Sequence, residues 1–330
     1  MTALPLRAPW RFVSITLATF ALVAAAPAQP QQTYPNRPIR IIVPSATGGS
    51  NDIAARLFGQ KMAEGFGKQV VIDNRVGAGS IIGTELVAKS SPDGYTLLLQ
   101  STELTIIASL FKKLPFDVTK DLAPVTLLAS FPLLLVVHPS LEAKSLQELI
   151  ALARAKPGQI NFASNGNGTI SHIAAESFKT MAGINLVHVP YKGAAPALTA
   201  LLAGETSVGF YTVSSTLQNV KAGRLRALAT SGEKRVPSLS NLPTFAEAGL
   251  PGFDARTWAG VFVRAGTPRP IIAKLHAEFI RIMRLPDIQE RFVAFDWEPA
   301  GNAPEEFAML IQKEMAKWSK VIRDAQIKAD

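Results

Sequence analysis

Two stretches of the chain combine glycine with small hydroxyl and amide side chains, each between an apolar run and an amphipathic one. The first is Pro44-Ser45-Ala46-Thr47-Gly48-Gly49-Ser50-Asn51-Asp52; the second is Ser164-Asn165-Gly166-Asn167-Gly168-Thr169. Glycine lets backbone N–H groups approach a ligand closely. A helix starting at such a loop adds unpaired N–H groups and the positive end of its dipole. The combination is an anion site. One helix terminus contributes about 0.3–1 kcal/mol, or about 2 when partly buried. Micromolar binding needs about 8 kcal/mol, so one loop is insufficient. Several charge-assisted hydrogen bonds of about 1.5–3 kcal/mol each, drawn from both loops inside a cleft, reach that value. The pair therefore reads as a grip on a carboxylate-bearing small molecule. Its members are Ser45, Thr47, Gly48, Gly49, Asn51 and Asp52 in the first loop, and Ser164, Asn165, Gly166, Gly168 and Thr169 in the second. Taken singly, each loop reads equally well as a plain strand–helix turn, the first with Asn51 or Asp52 as an N-cap. His172, in the first turn after the second loop, is either a ligand contact or a buried hydrogen-bonding residue.

Other chemistries find less support. Gly77-Ala78-Gly79-Ser80-Ile81-Ile82-Gly83 has the spacing GxGxxxG rather than the GxGxxG of a dinucleotide site, and no acid closes a strand about 20 residues further on. There is no Walker A loop and no G-x-S-x-G elbow. The four histidines, at 138, 172, 188 and 276, lack metal-ligand spacing. No catalytic residue, metal or cofactor is expected. The enzyme alternative is a secreted enzyme acting on a carboxylated substrate, with His172 as base and Ser171 or Ser164 as nucleophile.

The elements that must position these loops alternate. Ile39–Val43 is a short β-branched strand; Ile53, Ala54, Leu57, Phe58, Met62 and Phe66 recur at helical spacing; Gln69–Ile72 and Tyr95–Leu99 are further strands. In the second half, Leu133–Val137, Ile160–Ala163, Leu186–Val189, Val208–Tyr211 and Ala227–Ala229 read as strands. Helices run between them, one opening with a capping box of Ser145 and Glu148. Strand–helix–strand repetition implies βαβ units and a mostly parallel sheet. The tail is one helix with Phe307, Ile311, Met315, Trp318 and Ile322 on its inner face, opened by Asn302 and Glu305.

The 330 residues contain no cysteine, which excludes disulfides, thiol nucleophiles and iron–sulfur clusters. A hydrophobic content of 48% against 18% charged argues for folded domains, and the length suggests about two. Arg7 and Arg11, the apolar run Phe12–Ala26 and the small-residue site Ala26-Pro27-Ala28 form the three parts of a secretory signal peptide over residues 1–28, cut after Ala28. Losing it lowers the net charge from +9 to +7. The cations are scattered without aromatic interleaving, so nucleic acid is not an expected partner.

Several segments, in this order and spacing, make the chain similar to the Bug (Bordetella uptake gene) family, the substrate-binding proteins of tripartite tricarboxylate transporters. They are Tyr34–Ile39, Val43–Asp52, Asp73–Gly79, Ser91–Leu98, Pro115–Asp117, Gly166–Gly168 with His172, Pro190–Ala197, Arg224–Ala229, Leu242–Thr244 and Glu247–Phe253. The resemblance implies a periplasmic-binding-protein-like α/β fold of two domains closing on a ligand cleft. Domain one would take about 29–130 plus 254–330, and domain two about 131–253. It implies a carboxylated solute held between the two loops by backbone groups and water, and adds Ser101 and Lys192 to the candidate contacts. It further implies a periplasmic monomer that is not an enzyme and that works with the membrane subunits of such a transporter; a ligand sensor for a membrane kinase would share the cleft. Three positions depart from the family pattern: Ser45 stands where an aromatic is frequent, Thr206-Ser207 replaces a valine–aspartate pair, and Glu103 follows the strand end at Gln100–Thr102. The loss of an aspartate disfavours an amino group on the ligand, whereas Glu103 disfavours a highly anionic one.

Overall fold

The computed structural model describes residues 1–3 and 34–328, so the expected signal peptide lies largely outside the described residues. The described residues from 34 onward form one compact unit built on two sheets.

The first sheet draws on β1 (Ile39–Val43), β2 (Val70–Asn74), β3 (Thr96–Ser101), β4 (Leu122–Phe131), β10 (Thr257–Arg264) and β11 (Glu298–Pro299). Its strand order is β11-β4-β10-β3-β1-β2. The second holds β5 (Leu133–Val137), β6 (Asn161–Ser164), β7 (Val187–Pro190), β8 (Val208–Thr212) and β9 (Arg226–Thr230), in the order β7-β6-β8-β5-β9. The β-branched runs pair in parallel as the βαβ pattern demands: β1 with β2 and β3, and β6 with β7 and β8. The sheets are nonetheless mixed rather than mostly parallel. β10 runs antiparallel to β3 and β4, and β5 antiparallel to β8 and β9. These are the strands that carry the chain from one sheet to the other, so they arrive without the crossover helix that parallel pairing requires.

Helices cover both faces of each sheet. α1 (Ser50–Phe66), α9 (Arg269–Met283) and α10 (Pro286–Ala294) bury Phe58, Met62, Phe279, Ile282 and Phe292 with Ile41, Leu99 and Val261. On the other face lie α2 (Ile81–Ala88), α3 (Glu103–Leu110), α4 (Val118–Asp121) and the first part of α11 (Pro304–Asp324). In the second lobe, α5 (Leu146–Ala155) and α6 (Ile170–Ala182) pack around Phe162, Phe178 and Phe210, while α7 (Ala194–Leu202) and α8 (Val213–Lys221) cover the opposite face. α11 serves both lobes: Phe307 and Ile311 lie in a first-lobe cluster, Trp318 and Ile322 in the main second-lobe one. Two expected caps differ in detail. Ser145 accepts from Glu148 N, but Glu148 accepts from Lys144 N. At α11 it is Glu306, not Glu305, that accepts from Ala303 N, because the helix starts one residue later than the sequence pattern suggests.

The chain passes from the first sheet to the second at Pro132 and returns between β9 and β10. The two passages are tied together: Leu133 N donates to Ser231 Oγ (2.9 Å) and Ser231 N to Leu133 O (2.8 Å), both in the interior.

Candidate functional site

The loops sit at the carboxyl ends of parallel strands, where α/β sheets bind ligands. The first follows β1 and opens α1; the second follows β6 and opens α6. The end of β3, the Tyr191–Gly193 turn after β7 and Thr212 at the end of β8 lie at the same carboxyl ends.

In the first loop Gly48 takes φ +81°, with nothing within 4 Å of where a Cβ would be. Gly49 is the N-cap of α1 and is extended, with no side chain capping the helix. Asp52, 3% exposed, reaches back instead: its Oδ2 accepts from Gly48 N (2.9 Å) and Arg56 Nε (2.9 Å), its Oδ1 from Asn74 Nδ2 (3.0 Å). Burial raises this carboxyl's pKa, but the donations from Arg56, Gly48 and Asn74 outweigh it, and the group titrates below the ordinary range. Asp52 thus braces the loop. Thr47 is exposed, Asn51 half-buried, and the Ser45 hydroxyl is buried without a hydrogen-bond partner.

The second loop is held by its own hydroxyls and by two imidazoles. Asn165 N donates to Ser171 Oγ (2.9 Å), Gly166 N to Ser164 Oγ (3.2 Å), and Gly168 N to His172 Nδ1 (3.2 Å). Thr169, the N-cap of α6, donates its hydroxyl to Gly166 O (2.7 Å). Fully buried Ser164 meets His188 Nε2 at 2.6 Å. His188 stacks between His172 (4.1 Å) and Phe162 (4.8 Å). Burial, then the neighbouring His188 and Lys179, pushes the His172 pKa down to about 3, so the ring is neutral and its Nδ1 is an acceptor. His172 therefore takes the buried hydrogen-bonding role. Among the described residues His172 makes no hydrogen bond to Ser171 or Ser164; the histidine that Ser164 meets is His188. Lys192 is exposed, beside Gly193, whose N–H donates to Asn165 O (3.0 Å).

The surroundings of the two loops come into contact. Ser50 Oγ lies 3.2 Å from Thr212 Oγ1 and 3.4 Å from Ser214 Oγ. A Cβ on Gly168, at φ +73°, would come within 2.9 Å of Leu110 Cδ2 in α3. The Gly77–Ser80 turn, set aside above as a dinucleotide site, lies beside both loops: Gly79 approaches Asn167 O, and Ser80 Oγ donates to Pro44 O (3.1 Å). In this turn Ala78 and Ser80 hold φ of 45° and 78°, a region L-residues rarely adopt. Buried Ser101 donates its hydroxyl to Glu103, and Glu103 Oε1 accepts from Ile170 N (3.4 Å) in the other lobe. Ser50, Thr212, Ser214 and Gly79 were not among the residues expected at the site; their glycine and hydroxyl types are the one signal pointing to them. Thr102 Oγ1 and Asn165 Oδ1 join Ser45 Oγ as buried polar atoms without a partner, at the ends of β3, β6 and β1.

Thr206 and Ser207 lie at the opposite end of β8. Ser207 N donates to Asn161 Oδ1 (2.8 Å) at the start of β6. A groove of about 740 Å³ elsewhere in the second lobe, lined by Lys144, Gln147, Val220, Leu239 and Glu247 among others, shares no residue with either loop. Among the described residues there is no cluster of three or more metal-ligating side chains, and no helix is long and apolar enough to cross a membrane.

Residues 54–327 match the model of the tripartite tricarboxylate transporter family receptor. The chain is 36% identical over 318 residues to protein BugT of Bordetella pertussis, covering 96% of this chain and 97% of that one. Among solved structures it is similar to R. palustris Rpa4515 with adipate (33% identity, TM-score 0.85, 89% of this chain and 99% of that one). MatC from Rhodopseudomonas palustris with bound malate is similar too (32%, TM-score 0.82, 88% and 100%). With a matching family model over most of its length, the chain belongs to the tripartite tricarboxylate transporter receptor family, that of the Bug solute-binding proteins.

Proposed function

We propose that this protein captures a small carboxylate-bearing solute between the two loops, closes on it, and delivers it to membrane subunits of a tripartite tricarboxylate-type transporter. The observation that carries the reading is that Ser45 Oγ, Thr102 Oγ1 and Asn165 Oδ1, buried and unpaired, lie at the carboxyl ends of β1, β3 and β6, the first and last of which bear the loops. Buried polar atoms are nearly always hydrogen-bonded, and a ligand or its waters would pair these. The first-turn N–H groups of α1, at Ser50 and Asn51, supply donors for an anion. Two of the similar structures hold adipate and malate, both small carboxylates. In this reading the moving parts are about 29–130 plus 254–330 and about 131–253, and residues 1–28 direct export to the periplasm. Thr47, Gly48, Gly49, Ser101, Gly166, Gly168, Thr169 and Lys192 line or shape the site, with Asp52 and His172 holding the loops in place.

A thermal-shift screen of ligand-stripped protein against dicarboxylates, tricarboxylates, acidic amino acids and aromatic acids tests it. A ligand at about 100 times its Kd adds about 2.7 kcal/mol. We expect a selective rise in Tm with the compound recovered unchanged. Consumption of the compound would point to an enzyme instead, and no shift with any carboxylate would overturn the assignment.

A further inference from the structure

Glu103 opens α3, and its carboxylate bridges the two lobes. Oε2 accepts from Ser101 Oγ on its own side; Oε1 accepts from Ile170 N, the first residue of α6, on the other. That N–H is one of the donors a helix start leaves unpaired. Among the described residues no cation forms an ion pair with Glu103. Three other N–H donors of the second loop are spent on the chain itself: Asn165 N on Ser171, Gly166 N on Ser164, Gly168 N on His172. An anion entering at α6 would therefore meet a carboxylate already seated there. Thr102 Oγ1, on a side chain 0% exposed and without a partner, lies at the same strand end. The departure at Ser207 has no bearing on ligand charge, since Ser207 lies at the far end of β8.

We propose that Glu103 sets the polarity of the ligand: its carboxylate goes to the first loop at α1, and its other end, facing Glu103, carries a hydrogen-bond donor such as an ammonium or a hydroxyl. The preferred class is then a monocarboxylate with a distal donor rather than a dicarboxylate. This rests on the carboxylate reading given above and refines it. A second carboxylate would be forced against Glu103 in a space of reduced dielectric, where like charges repel strongly.

The test is calorimetry on the full mature chain with three probes of one length: adipate, ε-hydroxycaproate and ε-aminocaproate. A shorter series of succinate, γ-hydroxybutyrate and γ-aminobutyrate runs in parallel. In the unaltered protein the better donor-bearing probe should bind at least about tenfold tighter than the dicarboxylate of its series. Glu103→Gln, which keeps the shape and removes the charge, should shift that ratio about tenfold or more toward the dicarboxylate. The ranking in the unaltered protein stands without the variant, and the variant's Tm reports whether it folds. Tighter binding of the dicarboxylate by the unaltered protein, or a ratio that Glu103→Gln leaves unchanged, overturns the role of Glu103 and leaves the carboxylate site standing. Binding of no probe by either form overturns the preferred class, while the wider thermal-shift panel decides the carboxylate site.

Discussion

His172 does its work through a lone pair. Its Nδ1 accepts from Gly168 N, so the proton sits on Nε2, which faces Glu176 Oε1 at 4.0 Å. Glu176 is itself paired with Lys179 at 2.8 Å. Protonating Nδ1 would turn the acceptor into a donor pointed at a donor. The folded pKa of about 3 lies below the ordinary 6.5, so the unfolded chain takes up the proton first as pH falls. Stability from this residue is complete above about pH 6.5 and declines as pH drops toward the folded value, by up to about 1.4 kcal/mol per pH unit. His172→Gln offers an acceptor that does not titrate. We expect its stability, measured by urea unfolding from pH 7 to pH 4, to fall less steeply than that of the unaltered protein; superimposable profiles would refute this. The sequence placed His172 correctly in the first helical turn but left open whether it faced a ligand or the loop. That depends on His188, delivered by a different strand, and no local pattern records such a meeting. Asp52 was legible as a possible helix cap, and the structure gives its carboxylate to Gly48 N, Arg56 and Asn74.

Among the elements, the two loops look alike in sequence yet differ in surroundings. Gly48 and Gly168 both adopt left-handed φ, where a side chain costs about 1–2 kcal/mol. Gly48 is otherwise unencumbered, whereas a Cβ at Gly168 would press on Leu110 in the facing lobe. Gly168→Val should therefore weaken binding of the tightest carboxylate probe more than Gly48→Val does. Calorimetry on both variants decides the matter, and equal losses would contradict it. The strand–loop–helix units were readable because each has its own periodicity and its own glycine punctuation. α3 was not. It buries Leu104 and Ile107 in one cluster and Ile106 and Leu110 in another, so no polar stripe betrays a helix. β4 and β10 escaped for a related reason: β10 is buried nearly throughout, and its place between β3 and β4 is settled by the sheet rather than by its own alternation.

Over the whole molecule, the two passages between the sheets share a pair of hydrogen bonds between Leu133 and Ser231. Ser231 is 2% exposed. Ser231→Ala strands the Leu133 N–H, and an unsatisfied buried donor costs about 1–3 kcal/mol. We expect a loss of that size in denaturant unfolding; a loss below about 0.5 kcal/mol would show that the hydroxyl is dispensable. The tie between the crossings was not legible, since a lone serine before a glycine announces nothing. The position of β10 has a consequence in time. A ribosome delivers β1 to β4 early, yet β3 and β4 are neighbours only through β10, which is made after the entire second sheet. Until then each presents an open edge able to pair with another chain. The second sheet, drawn from one continuous stretch, can assemble first, and the earliest-made sheet is the last to close.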